Sequence, residues 1–262
     1  KFFEIIPRAG EYMLLDKSEG ETVSHTIFQV PTANGKGILV TPTADGNLLL
    51  GPTAERVNTP ENTETTAGGL KTVAELAERS VPSVNTRAVI TSFSGVRASE
   101  KSGDFIIKES DNVKGLIHAA AIDSPGLSSS AAIAEYIVKL LEKSGLELTE
   151  NPNFNGTRED THAFKKMSDE EKDEYIKKNP AYGRIICRCE TVSEGEIIDA
   201  LRRNPKATDI DGVKRRTRAG MGRCQGGFCM PYVMRLIEKE TGKPMTEITK
   251  KGGKSNTVTG RL

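Results

Sequence analysis

GMGRCQGGFC, residues 220–229, sets four glycines and two cysteines within ten positions, just after the basic run VKRRTR. Glycine admits positive φ and lets the backbone come close to whatever it surrounds. A glycine-rich loop bracketed by thiols therefore reads as the wrapping of a bound centre. The only other cysteines, Cys187 and Cys189, stand upstream as a C-x-C, separated by 34 residues from the C-x4-C of Cys224 and Cys229. Two close pairs across a long gap, with no secretory signal, fit metal ligation better than two disulfides.

Four thiolates hold either zinc or an iron-sulfur cluster. Structural zinc usually takes C-x2-4-C knuckles, so C-x4-C would serve but C-x-C is tight for one tetrahedral ion. A [2Fe-2S] cluster spreads its ligands over two irons and is less restrictive. Gly220, Gly222, Gly226 and Gly227 would let backbone N–H groups approach its sulfides. Lys214, Arg215, Arg216 and Arg218 either offset the negative charge of such a centre or complement a helix C-terminus. The residues alone leave both pairs of alternatives open.

Working outward, the 262 residues suffice for two domains. A net charge of +1, with 36% hydrophobic and 28% charged residues, gives no bias toward nucleic acid or lipid as the main partner. No apolar run approaches the ~20 residues that cross a bilayer, and a cytoplasmic location is expected. The opening KFFEIIPRAGEY has neither an initiator methionine nor the order of a signal peptide, so the chain is read as part of something longer.

Residues 1–123 read as strands with turn punctuation. GILVTPT and NLLLGPT flank Ala44-Asp45-Gly46 as one hairpin, and DFIIKES and GLIHAAA flank residues 111–114 as a second. Leu70, Val73, Leu76 and Ala77 recur at helical spacing over about 67–80, with Pro82 beyond. SPGLSSSAAIAEYIVKLLEK opens a further helix whose hydroxyl-rich start suits an N-cap. The charge run SDEEKDEYIKK reads as a solvated helical face. Ser193 with Glu196, and Thr208 with Asp211, have capping-box spacing ahead of two helices, and a third starts just after Cys229. The fold class expected is α+β: a mostly antiparallel sheet with helices, followed by a small all-helical metal domain.

ICRCETVSEGEIIDALR followed by DGVKRRTRAGMGRCQGGFCMPYV closely resembles the bacterioferritin-associated-ferredoxin-like [2Fe-2S] domain found at the C-terminus of FAD-dependent dehydrogenases such as the anaerobic glycerol-3-phosphate dehydrogenase large subunit. The resemblance implies that Cys187, Cys189, Cys224 and Cys229 bind the cluster. PRAGEYMLLDK, SFSGVRAS and GLIHAAAIDSPGLSSSAA in turn resemble, in chain order, the second half of flavoproteins of the D-amino-acid-oxidase superfamily. That resemblance implies that Gly126, Leu127 and Ser128 lie near the flavin ring, where a helix N-terminus suits its negative charge. It also implies that Arg97 faces the anionic group of the substrate, a task suited to a bidentate guanidinium, with Tyr12 as a candidate contact. Ala98 after that arginine, and GEY at 10–12, are more similar to L-2-hydroxyglutarate dehydrogenase than to the glycerol-phosphate enzymes. His25, His118 and His162 are scattered, and His118 reads as a core imidazole.

No G-x-G-x-x-G joins a strand to a helix, and Gly35-Lys36-Gly37 lacks the third glycine. The chain alone is therefore expected to bind FAD weakly or not at all and to lack dehydrogenase activity. The domains expected are 1–143 (substrate domain and returning flavin-side strand and helix), 144–183 (connector), 184–242 ([2Fe-2S] domain) and 243–262 (tail). The parent enzyme is expected to oxidise glycerol 3-phosphate, or a 2-hydroxy acid such as L-2-hydroxyglutarate, at FAD. Electrons would pass to the cluster and on to an acceptor protein or quinone-linked partner. The alternatives are a zinc-holding interaction module and an enzyme with a purely structural metal site.

Overall fold

The structure, a computed structural model, describes residues 3–31, 36–158, 160–161 and 163–260. His162 and Gly35 lie outside them. The chain divides into two compact units, Lys1–Phe154 and Asn155–Leu262.

The first unit is built on strands β1 (Ile6–Leu15), β2 (Leu39–Pro42), β3 (Leu48–Gly51) and β4 (Glu55–Arg56), helix α1 (Ala67–Ser80) and strand β5 (Val89–Ser99). β1 is central: β3 and then β4 pair along one edge, β5 runs the length of the other, and β2 lies beyond β3, all antiparallel. The expected first hairpin is present, with Pro42 opposite Leu48. Alternation along β1 separates two faces. Leu15 packs with Val40, Leu48, Leu50 and the α1 residues Val73 and Ala77, all fully buried. A side chain such as Leu50 contributes about 1.5–3 kcal/mol there. Glu11 shares that face, buried at 5% exposure. Its carboxylate accepts from the N–H and Oγ1 of Thr66, the α1 N-cap, at 2.8 and 2.9 Å, where the helix dipole favours an anion. The face away from α1 carries Arg8, Gly10 and Tyr12.

β6 (Ile106–Glu109) and β7 (Ile117–Ala120) form the expected second hairpin. Helix α2 (Gly126–Lys143) follows, but its N-cap is Pro125 with no side-chain cap. The expected hydroxyl cap is absent because Ser128 Oγ, already inside the helix, donates back to the Pro125 carbonyl at 3.0 Å.

The second unit contains α3 (Ala163–Lys166), α4 (Asp169–Lys178), β8 (Ile185–Cys187), β9 (Val192–Ser193), α5 (Glu194–Arg202), α6 (Ile210–Thr217) and α7 (Met230–Thr241). It is not all helical: β8 and β9 make an antiparallel ribbon that carries Cys187, so the first thiol is placed by a sheet ladder. α4 is the solvated helix expected, with a capping box of Ser168 and Glu171. The Ser193–Glu196 box opens α5. α6 is capped one residue later than its S/T-x-x-D spacing suggests, by Asp209 accepting from Gly212 N–H at 2.6 Å, because Asp211 turns instead to Lys250 and Lys214. The core gathers Ile197, Val213, Val233, Ile237 and Ile248 around buried Cys187 and Cys229.

Candidate functional site

Two places carry the predicted site residues, one in each unit. In the second unit all four cysteines line one cavity of about 560 Å³ together with Phe228, Tyr232 and Arg188. The β8 ladder fixes Cys187, the turn after it presents Cys189, the glycine loop carries Cys224, and Cys229 sits at the N-cap of α7. The thiols come in twos, Cys187 with Cys229 and Cys189 with Cys224. The Cys189 and Cys224 sulfurs are 3.6 Å apart, far beyond a disulfide bond of about 2.05 Å. Two thiolates at about 2.3 Å from one tetrahedral ion would stand about 3.8 Å apart. Among the described residues no group of three or more His, Cys, Asp or Glu side chains is gathered as a single ion requires. Two pairs match the two irons of a [2Fe-2S] centre, each iron taking two thiolates.

The electrostatics ready the thiols for a cation. The hydrogen bond from Cys229 brings Cys187 down to about 6, against the cost of burial, with help from the N–H groups of Gly220 and Glu190. Cys229 moves up, because Cys187 is its hydrogen-bond partner and it is buried. Cys224 moves down through the N–H of Phe228, against the cost of burial, then through the hydrogen bond from the Cys189 thiol and the N–H groups of Gly226 and Gly227. For Cys189 the Cys224 N–H pulls down, but the Cys224 thiol, burial and the neighbouring thiol charges together push it up. In each pair one proton leaves readily and the second is held, so full deprotonation calls for a cation between the sulfurs.

Gly220 and Gly226 have φ of +91° and +88°, and a Cβ on Gly222 would stand 2.3 Å from Cys189 Cβ. The glycines thus let the loop turn and close on the first cysteine pair. The basic run is engaged with carboxylates and carbonyls. Lys214 pairs with Asp211 at 3.2 Å, Arg216 donates to the carbonyls of Pro205 and Gly212, and Arg218 pairs with Glu190 at 2.8 Å. Glu190, buried to 1% in its side chain, ties the C-x-C turn to the glycine loop through Arg218. The sequence gives no period or spacing that singles this residue out.

In the first unit Tyr12 and Arg97 fall on the open face of the sheet. Tyr12 stands opposite Phe93 and stacks on it, centroids 5.1 Å apart at 15°. The Arg97 guanidinium lies over Gly10, where a Cβ would come within 2.8 Å of Nη2, and Nη1 donates to the Thr53 carbonyl at 3.5 Å. Ser99 Oγ donates to Asp123 at 2.7 Å, tying the end of β5 to the stretch that leads into α2. Of the α2 start, Gly126 is buried, while Leu127 is 92% exposed and Ser128 exposed. His118 is half-buried, edge-on to Phe3 at 5.5 Å, and His25 is exposed beside Ser24. Among the described residues no helix is long and apolar enough to cross a membrane.

Residues 1–140 match the FAD dependent oxidoreductase family and residues 185–239 the BFD-like [2Fe-2S] binding domain. A glycerol 3-phosphate dehydrogenase of Caloramator mitchellensis is 48% identical over 98% of this chain and 54% of its own length. The HcnB subunit of hydrogen cyanide synthase from Pseudomonas aeruginosa is 48% identical over 22% of this chain and 12% of its own. The structure of dithionite-reduced L-alpha-glycerophosphate oxidase from Mycoplasma pneumoniae with FAD bound superposes with a TM-score of 0.53 at 33% identity, over 60% of this chain and 40% of that one. The chain spans about half the length of the curated relatives it matches. By its match over more than half its length, the chain belongs to the FAD dependent oxidoreductase family, and it carries behind that part a BFD-like [2Fe-2S] binding domain.

Proposed function

We propose that residues 1–143 form the substrate-facing half of an FAD-dependent glycerol-3-phosphate dehydrogenase and residues 184–242 its electron-carrying [2Fe-2S] domain, joined by a connector over 144–183 and followed by a tail over 243–262. The observation that carries the reading is the arrangement of four cysteines as two pairs lining one cavity, under N–H groups of the glycine loop. When bound, FAD supplies the two-electron oxidation of a secondary alcohol and the cluster supplies one-electron transfer.

The chain's own residues hold and orient. Arg97, held over Gly10, takes the anionic end of the substrate, and Tyr12 on Phe93 walls the open face. Gly126, Leu127 and Ser128 turn the first turn of α2 toward the flavin; the Gly126 N–H donates to the Asp123 carbonyl at 2.6 Å, and no side chain caps the N–H groups of Leu127 and Ser128. Leu127, Tyr136 and Val138 on α2 are exposed at 92%, 48% and 43%, apolar surface suited to packing against the flavin-binding half. Exposed Cys189, with Phe228 and Tyr232 on the cavity rim, marks the edge at which an acceptor protein or quinone-linked partner would draw electrons. Glycerol 3-phosphate is favoured over a 2-hydroxy acid by the relative that is similar along nearly the whole chain.

The test is a visible spectrum of the anaerobically purified full-length enzyme, before and after glycerol 3-phosphate, with iron and sulfide analysis. Equal iron and sulfide, with cluster bands that bleach on adding substrate, are expected. A cluster that dithionite reduces but substrate does not would make it structural, and one zinc per chain would overturn the electron-carrying role.

A further inference from the structure

Sheet register brings three arginines into one row across the sheet. Arg8 on β1 stands directly opposite Arg97 on β5 and, across its other edge, directly opposite Arg56 on β4. Directly opposed residues of an antiparallel ladder share a face, with Cβ atoms about 5 Å apart. The face is the one that α1 leaves open, shared with Gly10 and Tyr12. Glu11 faces α1, and Glu55, the acidic neighbour of Arg56, pairs with Ala9 on that other side. Among the described residues none of the three arginines has an ion-pair partner. Arg97 and Arg8 reach only the carbonyls of Thr53 and Ala54, at 3.5 and 3.4 Å. Arg8 and Arg97 are half-buried and Arg56 is exposed.

Like charges directly opposite one another destabilise a sheet, and here two adjacent pairs are both like-charged. An anion lying across the row reverses the sign of that interaction. One carboxylate neutralises one guanidinium. A phosphate monoester carries about −1.5 to −2 near pH 7 with three strong acceptor oxygens, enough for charge-assisted, bidentate bonds from two arginines at once. We infer that Arg8, Arg97 and Arg56 form a phosphate-binding row, with Arg8 and Arg97 as the half-buried pair and Arg56 as its outer member. The row selects a phosphorylated substrate over a carboxylated one. This rests on the reading of residues 1–143 as a substrate domain, and adds to it the class of anion and two further residues.

The experiment compares Arg8→Met, Arg56→Met and Arg97→Met in the full-length, FAD-loaded enzyme. Two quantities are read: Tm with and without inorganic phosphate, and KM and kcat for glycerol 3-phosphate. Arg8→Met is expected to lose the phosphate-induced rise in Tm and to raise KM about tenfold, the usual weight of a charge-assisted hydrogen bond, with a smaller change in kcat. Its ligand-free Tm rises, because repulsion within the row is relieved, and Arg8→Lys recovers part of the binding. Arg56→Met shifts KM about threefold, as expected of an exposed charge. If Arg8→Met and Arg56→Met keep both the phosphate response and KM while Arg97→Met is inactive, the row is overturned and the substrate-domain reading stands. If all three variants behave as the parent, both fall. Should Arg8→Met fail to fold, Arg8→Gln and Arg56→Met decide by the same criteria.

Discussion

Gly222 shows how much of the cysteine site hangs on single atoms. A Cβ there would meet Cys189 Cβ at 2.3 Å and the Glu190 carboxylate at 3.3 Å. The first is the root of a side chain and cannot swing away, so Gly222→Ala must push the glycine loop off the C-x-C turn. The expected outcome is a folded chain with several-fold less iron and sulfide after anaerobic reconstitution; an unchanged cluster content would show that the loop closes differently. The Arg218–Glu190 pair lies under the same loop, with side chains 16% and 1% exposed. Removing one partner of a buried pair costs about 3–5 kcal/mol, so Arg218→Met should lower the urea midpoint of the second unit by an amount worth about 3 kcal/mol. The thiols were legible because their spacing is rare. Glu190 was not, because a buried acid follows from three-dimensional packing and leaves no period in the chain. Arg8 and Arg56 were hidden for a related reason: they become neighbours only once strand register is known, and a slip of one residue would send Arg8 to the opposite face.

Elements were most legible where local chemistry and periodicity agreed. α1 begins and ends where its spacing and Pro82 place it, with Thr66 as cap, and both hairpins turn where glycine and polar residues interrupt apolar runs. The start of α2 and the cap of α6 departed from their sequence signals because a side chain in each found another partner: Ser128 its own helix, and Asp211 the segment after α7. That last contact turns the final residues into an element of the fold. Ile248 is 1% exposed in the core of the second unit, and Lys250 Nζ lies 3.0 Å from both Asp211 oxygens. Truncating Ile248 to Ala should destabilise the second unit by about 2–4 kcal/mol in urea titrations. Burial alone would raise the Asp211 carboxyl, but the Lys250 hydrogen bond and the charge of Lys214 bring it below its ordinary value of 3.8. A carboxyl lowered on folding stabilises fully above its unfolded value and loses that contribution as pH falls through its folded one. Stability should therefore decline on acidification below about pH 4, and Asp211→Asn should flatten that part of the profile. An identical acid limb in the variant would assign the loss to other carboxylates.

At the scale of the molecule, the two units differ in how complete they are as binding sites. The second holds all four thiols, the loop that wraps them and the core beneath them within residues 155–262. The first presents an open sheet face and a helix start without a side-chain cap, exposed at Leu127 and Ser128, which on the proposed reading are surfaces toward a flavin rather than an enclosure for one. Among its described residues no glycine-rich strand-to-helix turn cradles a pyrophosphate, and such a cradle supplies much of the hold on a dinucleotide. The two cofactors should therefore separate experimentally. Residues 1–262, purified anaerobically and reconstituted with iron and sulfide, are expected to hold the cluster with far less than one FAD per chain, and added FAD should leave the Tm of the first unit in place. On the proposed reading, a longer chain that adds the flavin-binding half should retain FAD and gain Tm from it, as any ligand bound by the native state alone must produce. Stoichiometric FAD on residues 1–262 would mean that the sheet face and the α2 N-terminus bind the isoalloxazine ring strongly enough without a pyrophosphate cradle. The weight of flavin recognition in this family would then shift from the phosphates to the ring.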